Sequence, residues 1–203
     1  VVLSRCGGER PALVGHSWGS MLALAYGAAH PGSAGPIVLI GCGTFDKTAR
    51  ARMRAIEEER MDDELRRRLE RLAQDYPDPN ERLRALGALT LGLYSYDLVT
   101  TEQEIEVQEA GAKNDETWKD MVRLQDEGVY PAAFEAIDTP VLMLHGIEDP
   151  HPGRLIRASL QPFLAHLEYR ELERCGHYPW LERHARDEFF SILRDWLTRH
   201  IGG

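Results

Sequence analysis

Apolar residues fall along this chain in two textures. Near both ends, short unbroken apolar runs alternate with stretches of helical period, whereas the middle is crowded with charge. Residues 12–14 form a short apolar run that stops at Gly15. Met21, Leu22, Leu24, Ala25 and Ala28 then recur at helical spacing, and His30-Pro31-Gly32 closes that helix. Residues 37–40 are a second apolar run, ended by Gly41-Cys42-Gly43. Unbroken apolar strands of this kind suit a parallel sheet covered on both faces.

From about residue 45 to residue 134 the pattern predicts helices, with no strand signal and no repeat. Residues 50–74 are nearly all Arg, Glu, Asp, Leu, Met and Ala. Pro77-Asp78-Pro79-Asn80 breaks that segment, residues 83–98 read as a more apolar helix, and residues 114–125 as another. Strand signals return at 141–145, after Asp138-Thr139-Pro140. A helix follows around 155–164, then a strand at 167–172. The last helix covers 181–200, with Phe189, Phe190, Leu193, Trp196 and Leu197 on one face. Strands alternating with helices predict an α/β fold with a parallel, doubly wound sheet. The expected division is a core of residues 1–44 and 136–203 with a helical cap at 45–135.

Composition narrows the partners. The 203 residues carry a net charge of -9, which disfavours nucleic acid and anionic membrane surfaces. Hydrophobic residues make up 43%, enough for a sizeable core. No run approaches transmembrane length and no signal peptide opens the chain, so a cytoplasmic protein is expected. Cys6, Cys42 and Cys175 match no metal spacing and read as reduced thiols. The chain opens on Val1, and its first methionine is Met21. The expectation is a chain that starts partway into a longer reading frame.

The chemistry is concentrated in Gly15-His16-Ser17-Trp18-Gly19, a G-x-S-x-G motif between a predicted strand and a predicted helix. A sharp turn there exposes the hydroxyl of Ser17 as a nucleophile. The helix N-terminus places partial positive charge where an oxyanion would form, with the Trp18 N–H as donor. A serine needs a base. His177, in Cys175-Gly176-His177-Tyr178-Pro179, lies in a loop between the last strand and the last helix. His16 is expected to point away from the hydroxyl and to be structural. His145 is expected to be packed, and His30, His166, His184 and His200 to be solvated. Asp149 follows the strand at 141–145 and is preferred over Glu148 as the acid that orients the base, since its short side chain precedes Pro150. Cys175, near His177, is the alternative nucleophile. His145, Asp149, His151 and His177 match no common metal spacing, so neither a metal nor an organic cofactor is expected.

These motifs, in the order Ser, Asp, His, resemble the α/β-hydrolase superfamily. Gly15 to Ser20, followed by Leu22-Ala23-Leu24-Ala25-Tyr26 and His30-Pro31, is similar to the nucleophile elbow of prolyl-iminopeptidase-like hydrolases. Leu144-His145-Gly146 with Asp149, and Gly176-His177-Tyr178-Pro179 with Glu182, resemble that family's acid and histidine loops. The resemblance implies a serine hydrolase acting on a small ester or amide through an acyl-enzyme. Tyr94, Tyr96, Trp118 and Tyr130 are candidates to line its pocket. Glu102, Glu104, Glu106 and Glu109 are candidates to hold a substrate amine in an aminopeptidase.

The front of the chain departs from the family. There, several strands and a His-Gly loop that supplies the second oxyanion donor precede the elbow; here residues 1–8 read as the tail of a helix. The strand at 12–14 is then an exposed apolar edge that invites pairing. A homodimer through that edge is one expectation, and a non-catalytic binding module is the alternative to the enzyme.

Overall fold

The computed structural model describes residues 10–99 and 113–201. Four strands, β1 (Leu13–His16), β2 (Ile37–Ile40), β3 (Val141–Gly146) and β4 (Leu167–Leu172), form one parallel sheet in the order β1-β2-β3-β4. Helix α1 (Trp18–Ala29) joins β1 to β2, and α6 (Gly153–Leu160) joins β3 to β4. Helices α2 (Lys47–Arg60), α3 (Asp63–Asp75), α4 (Pro79–Tyr94) and α5 (Lys113–Asp126) lie between β2 and β3 in sequence. A 3₁₀ turn (Ala132–Ala136) returns the chain to the sheet, and α7 (Arg186–Ile201) ends the described fold.

The strands sort their side chains by parity. Every residue of β2 and β3 is buried. Ile37, Leu39, Val141 and Met143 pack with Met21 and Leu24 of α1 and Ile156 and Leu160 of α6. Val38, Ile40, Leu142 and Leu144 face the other way, onto Phe189 and Trp196 of α7. A strand with two apolar faces needs cover on both, which explains the uninterrupted hydrophobic runs. Among the described residues β1 pairs only with β2, and Val14 is 51% exposed. No helix among the described residues is long and apolar enough to cross a membrane.

Several boundaries differ from the sequence expectation. The first strand extends through Gly15 to His16, so the turn is concentrated at Ser17. The charged segment is two helices, separated where the Asp62 carboxylate accepts the Leu65 N–H and caps α3. Pro79 does not merely break a helix. It occupies the first turn of α4, where its missing N–H costs nothing, and Asp78 caps that turn through the N–H groups of Asn80 and Glu81. Helix α4 stops at Tyr94 instead of residue 98, because Leu98 bridges to Glu182 and the chain turns extended. Helix α6 ends at Leu160, four residues early, and α7 starts at Arg186 instead of residue 181.

Candidate active site

Ser17 sits where β1 becomes α1, in the left-handed region at φ 53° and ψ -117°. An L-residue there is strained. The neighbours hold it in place. The Ser17 N–H donates to the Ile40 carbonyl at 2.8 Å. The Ser20 hydroxyl donates to the Gly15 carbonyl at 2.7 Å and accepts the Ile40 N–H at 3.1 Å, tying the turn to β2. A Cβ on Gly15 would lie 2.3 Å from the Gly19 carbonyl oxygen, so glycine is required for α1 to pack this closely on its own strand. Gly41, at φ 52°, performs a related service. A side chain there would fall 2.8 Å from the His177 ring and 3.2 Å from the Asp149 carboxylate.

Asp149 and His177 meet directly, with His177 Nδ1 2.7 Å from Asp149 Oδ2. Both side chains are buried, at 0% and 4% exposure. The backbone of His177 is fixed from both ends. Its N–H donates to the Tyr94 carbonyl at 2.7 Å, and its carbonyl accepts His16 Nε2 at 2.9 Å. Burial would push the Asp149 carboxyl up, but His177, His151 and His145 around it outweigh burial and hold it well below the ordinary range. Burial lowers His177 against the opposing pull of Asp149, and His151 lowers it further. His16 is pushed down to about 3, chiefly by burial and by His177. It is therefore neutral near neutral pH and donates Nε2–H to the His177 carbonyl.

Ser17 makes no hydrogen bond to His177 among the described residues. The ring of His16, the residue before Ser17, lies 4.5 Å from that of His177. Serine–histidine bonds in empty sites are often long and tighten only around substrate. Trp18 is the first residue of α1, so its N–H is among those a helix leaves without an intrahelical acceptor.

The remaining expectations divide. Glu148 turns away from His177 toward Arg60, with 3.8 Å between the charged groups, and Asp149 alone meets the imidazole. Cys175 is buried in the core beneath α7, and burial together with Glu182 pushes its thiol well up, so it does not serve as the alternative nucleophile. Of the four aromatic candidates, Tyr94 reaches the site. Its ring lies 5.5 Å from His177, and its hydroxyl donates to Glu57 of α2. Tyr130 stacks on Phe134, Tyr96 faces His184, and Trp118 packs edge-on against Trp18. A cavity of about 370 Å³ between α1 and α5 is lined by Trp18, Leu22, Met121, Leu124 and Tyr130, but not by Ser17, Asp149 or His177. Glu102, Glu104, Glu106, Glu109 and Cys6 lie outside the described residues.

Two groups bear on the site in ways residue order did not assign: Glu182, which the resemblance set beside the histidine loop, and His151, weighed only as a metal ligand. The buried carboxylate of Glu182 accepts the N–H groups of Gly176, Tyr96 and Asp97 at 2.9, 2.9 and 2.7 Å, joining the His177 loop to the end of α4. His151 places Nδ1 2.9 Å from Asp149 Oδ1. Asp149, His151 and His177 bring potential ligand atoms within 4.8 Å of one another. They fit a metal poorly. Each Nδ1 is engaged by a different oxygen of Asp149, and the two rings stack nearly parallel, 17° apart, so their lone pairs run side by side instead of converging on one tetrahedral centre.

A family model described as "Alpha/beta hydrolase family" matches residues 1–192. Similar solved structures include VinJ, 18% identical with a TM-score of 0.61, covering 98% of this chain and 69% of that one. A proline iminopeptidase from Mycobacterium smegmatis is 18% identical with a TM-score of 0.60, covering 98% and 68%. A meta-cleavage product hydrolase from Pseudomonas fluorescens is 18% identical with a TM-score of 0.62, again covering 98% and 68%. At this identity the likeness is one of fold. No curated protein matches the chain.

Proposed function

The chain belongs to the alpha/beta hydrolase family, and we propose that it is a serine hydrolase that cleaves a small ester or amide through an acyl-enzyme. The observations that carry this reading are the strained Ser17 at the strand-to-helix turn and, elsewhere in the chain, a buried imidazole, His177, already bonded to the Asp149 carboxylate. A serine is held in such a conformation where its hydroxyl must stand clear of the backbone.

In this reading His177 Nε2 takes the proton from Ser17 as Oγ bonds to the substrate carbonyl carbon. The charge that develops on the carbonyl oxygen is met by the Trp18 N–H and the α1 N-terminus, and the imidazolium by Asp149. The bond to the leaving group breaks as His177 returns the proton to it. Water then attacks the acyl carbon with His177 again as base, releasing the acid and restoring Ser17. No metal or organic cofactor enters these steps. Helix α2 acts as part of a cap, since Glu57 holds Tyr94 over His177 and Arg60 holds the backbone beside Asp149.

A fluorophosphonate probe tests the reading. The parent should be labelled, and Ser17→Ala should not. Hydrolysis of p-nitrophenyl acetate and of proline p-nitroanilide by the parent separates an esterase from an aminopeptidase. Equal labelling and turnover by parent and Ser17→Ala would overturn the assignment of the nucleophile.

A further inference from the structure

We infer that Asp149 serves two imidazoles, and that His151 is a positioning residue whose ring N–H fixes the Asp149 carboxylate and thereby sets the basicity of His177. The inference rests on the proposed reading of His177 as the base.

Residue 151 reaches Asp149 twice. Its backbone N–H donates to Oδ1 at 2.9 Å, closing a short local turn after the carboxylate. Any residue other than proline supplies that bond. The imidazole adds what a turn does not need, a second donor to the same oxygen, Nδ1 at 2.9 Å. Oδ2 is left to His177, with His145 Nε2 3.4 Å away. His145 Nε2 also lies 2.8 Å from the His151 carbonyl, so the residue is held from its backbone as well. The His151 ring then lies 4.7 Å from that of His177, nearly parallel to it.

The stack has a consequence for tautomers. A carboxylate can only accept, so Nδ1 of each ring must carry a proton when it bonds Asp149. Each imidazole, when neutral, then has Nε2 as its basic nitrogen. The side chain of His151 is 12% exposed, whereas Asp149 is wholly enclosed. His151 thus stands between the buried carboxylate and the outside.

The electrostatic effect follows from sharing. A lone buried carboxylate gives its full negative charge to the one imidazole beside it and strengthens that base. A second N–H on the same carboxylate draws off part of that charge. His177 then binds its proton less tightly, and more of it is free base at mildly acidic pH. The groups facing His177 are Asp149 and His151 from the acid loop, His16 from β1, Tyr94 from α4 with Glu57 of α2 behind it, and Tyr178. The groups facing His151 are Asp149, His145, His177 and Tyr94. Of these, His151 alone both donates to Asp149 and stacks on the base.

The pH profile of kcat/KM for p-nitrophenyl acetate tests this. His151→Phe keeps the backbone bond and a flat ring but loses Nδ1–H. Its acid limb should move upward by about half a unit to one unit, the scale of one lost hydrogen bond to a carboxylate. His151→Asn places an amide N–H where Nδ1 stood and should keep the parent profile. An acid limb in His151→Phe that superimposes on the parent overturns the inference, as does a shift of equal size in His151→Asn. Should His151→Phe fail to fold, nitrogen-15 NMR of the parent decides instead. A neutral His151 carrying its proton on Nδ1 supports the inference, and one carrying it on Nε2 overturns it. Undiminished turnover by Ser17→Ala would mark failure of the serine-hydrolase reading itself, separately from either result.

Discussion

Glu182 Oε1 accepts the N–H of Gly176 at 2.9 Å, one residue ahead of the imidazole that meets Asp149. The same carboxylate accepts from Tyr96 and Asp97 just beyond α4. A wholly buried carboxylate bonded to three backbone donors is structural in logic, because each donor left alone would be a buried unsatisfied group.

Glu182→Ala should therefore destabilise the fold by about 3 kcal/mol or more, given roughly 1–3 kcal/mol for each buried group left unpaired. Glu182→Gln retains one acceptor oxygen and should lose less. Chemical denaturation of the two variants measures the difference. Activity should fall with Glu182→Ala because the His177 loop loses its anchor. Stability within about 0.5 kcal/mol of the parent would show that these bonds hold nothing in place.

Much of this arrangement could be read from residue order alone, for reasons that also explain the misses. β2 lies where its apolar run placed it, since the run is bounded by Pro36 and Gly41 and no helix of that length is plausible, and β4 lies where its strand was expected. The turn at Ser17 was legible because a strand, two glycines and a helix converge on it. The start of α4 was not, because Pro79 reads equally as a breaker or as a first-turn residue, and only the Asp78 cap decides. Glu182 bonds a segment 85 and 86 positions earlier, a pairing with no local signature. From sequence His151 stood only among four unmatched metal-ligand candidates, whereas in the fold its backbone N–H closes a turn onto Asp149. Its second contact became visible only once β3 and the His177 loop were packed together.

The turn itself yields a sharper expectation. A methyl group on Gly15 would lie 2.3 Å from the Gly19 carbonyl oxygen, which belongs to backbone and cannot swing aside. Gly15→Ala must push α1 away from β1 and carry Ser17 with it. Overpacking of this kind costs about 1–3 kcal/mol, and fluorophosphonate labelling of Ser17 should slow at least about tenfold, since small misplacements of a reacting group are expensive. Gly19 offers a control, because a Cβ there meets nothing within 4 Å. Gly19→Ala should fold and label nearly as the parent does, and equal damage from both variants would contradict the steric account.

Acid should destabilise the protein in a defined window. His16, His145 and His177 are all held below the ordinary histidine value of 6.5, His16 to about 3, with burial as the leading cause. Unfolded, each titrates near 6.5. Between the folded and unfolded values the unfolded chain binds more protons, so stability is complete above about pH 6.5 and declines as the pH falls toward 3. Asp149, also lowered on folding, adds to the decline at the acid end. Thermal denaturation at a series of pH values should show Tm dropping on acidification below neutrality. His16→Gln, whose amide can still donate to the His177 carbonyl, should show a shallower drop. Equal slopes for parent and variant would remove His16 from the explanation.

The acid loop depends on a cation that lies far from it in sequence. Arg60, the last residue of α2, donates from Nη1 to the carbonyl of Leu93 and to that of Glu148, both at 2.8 Å. It thereby fastens α2 and α4 to the backbone immediately before Asp149. Only a planar guanidinium can bridge two carbonyls while its other nitrogen approaches the Glu148 carboxylate, at 3.8 Å. Lysine carries its three donors on one nitrogen at the end of a flexible stem, so it holds the two carbonyls less rigidly and cannot present a second nitrogen to the Glu148 carboxylate. Arg60→Lys should lower stability by only about 1 kcal/mol, because the group is partly in water. Its effect on turnover should be larger in proportion, since the loop that carries Asp149 gains freedom to shift. A fall in kcat with KM nearly unchanged is the expected signature, because the group lost acts on the base and not on the substrate. A rise in KM alone would place Arg60 in substrate binding and detach it from Asp149.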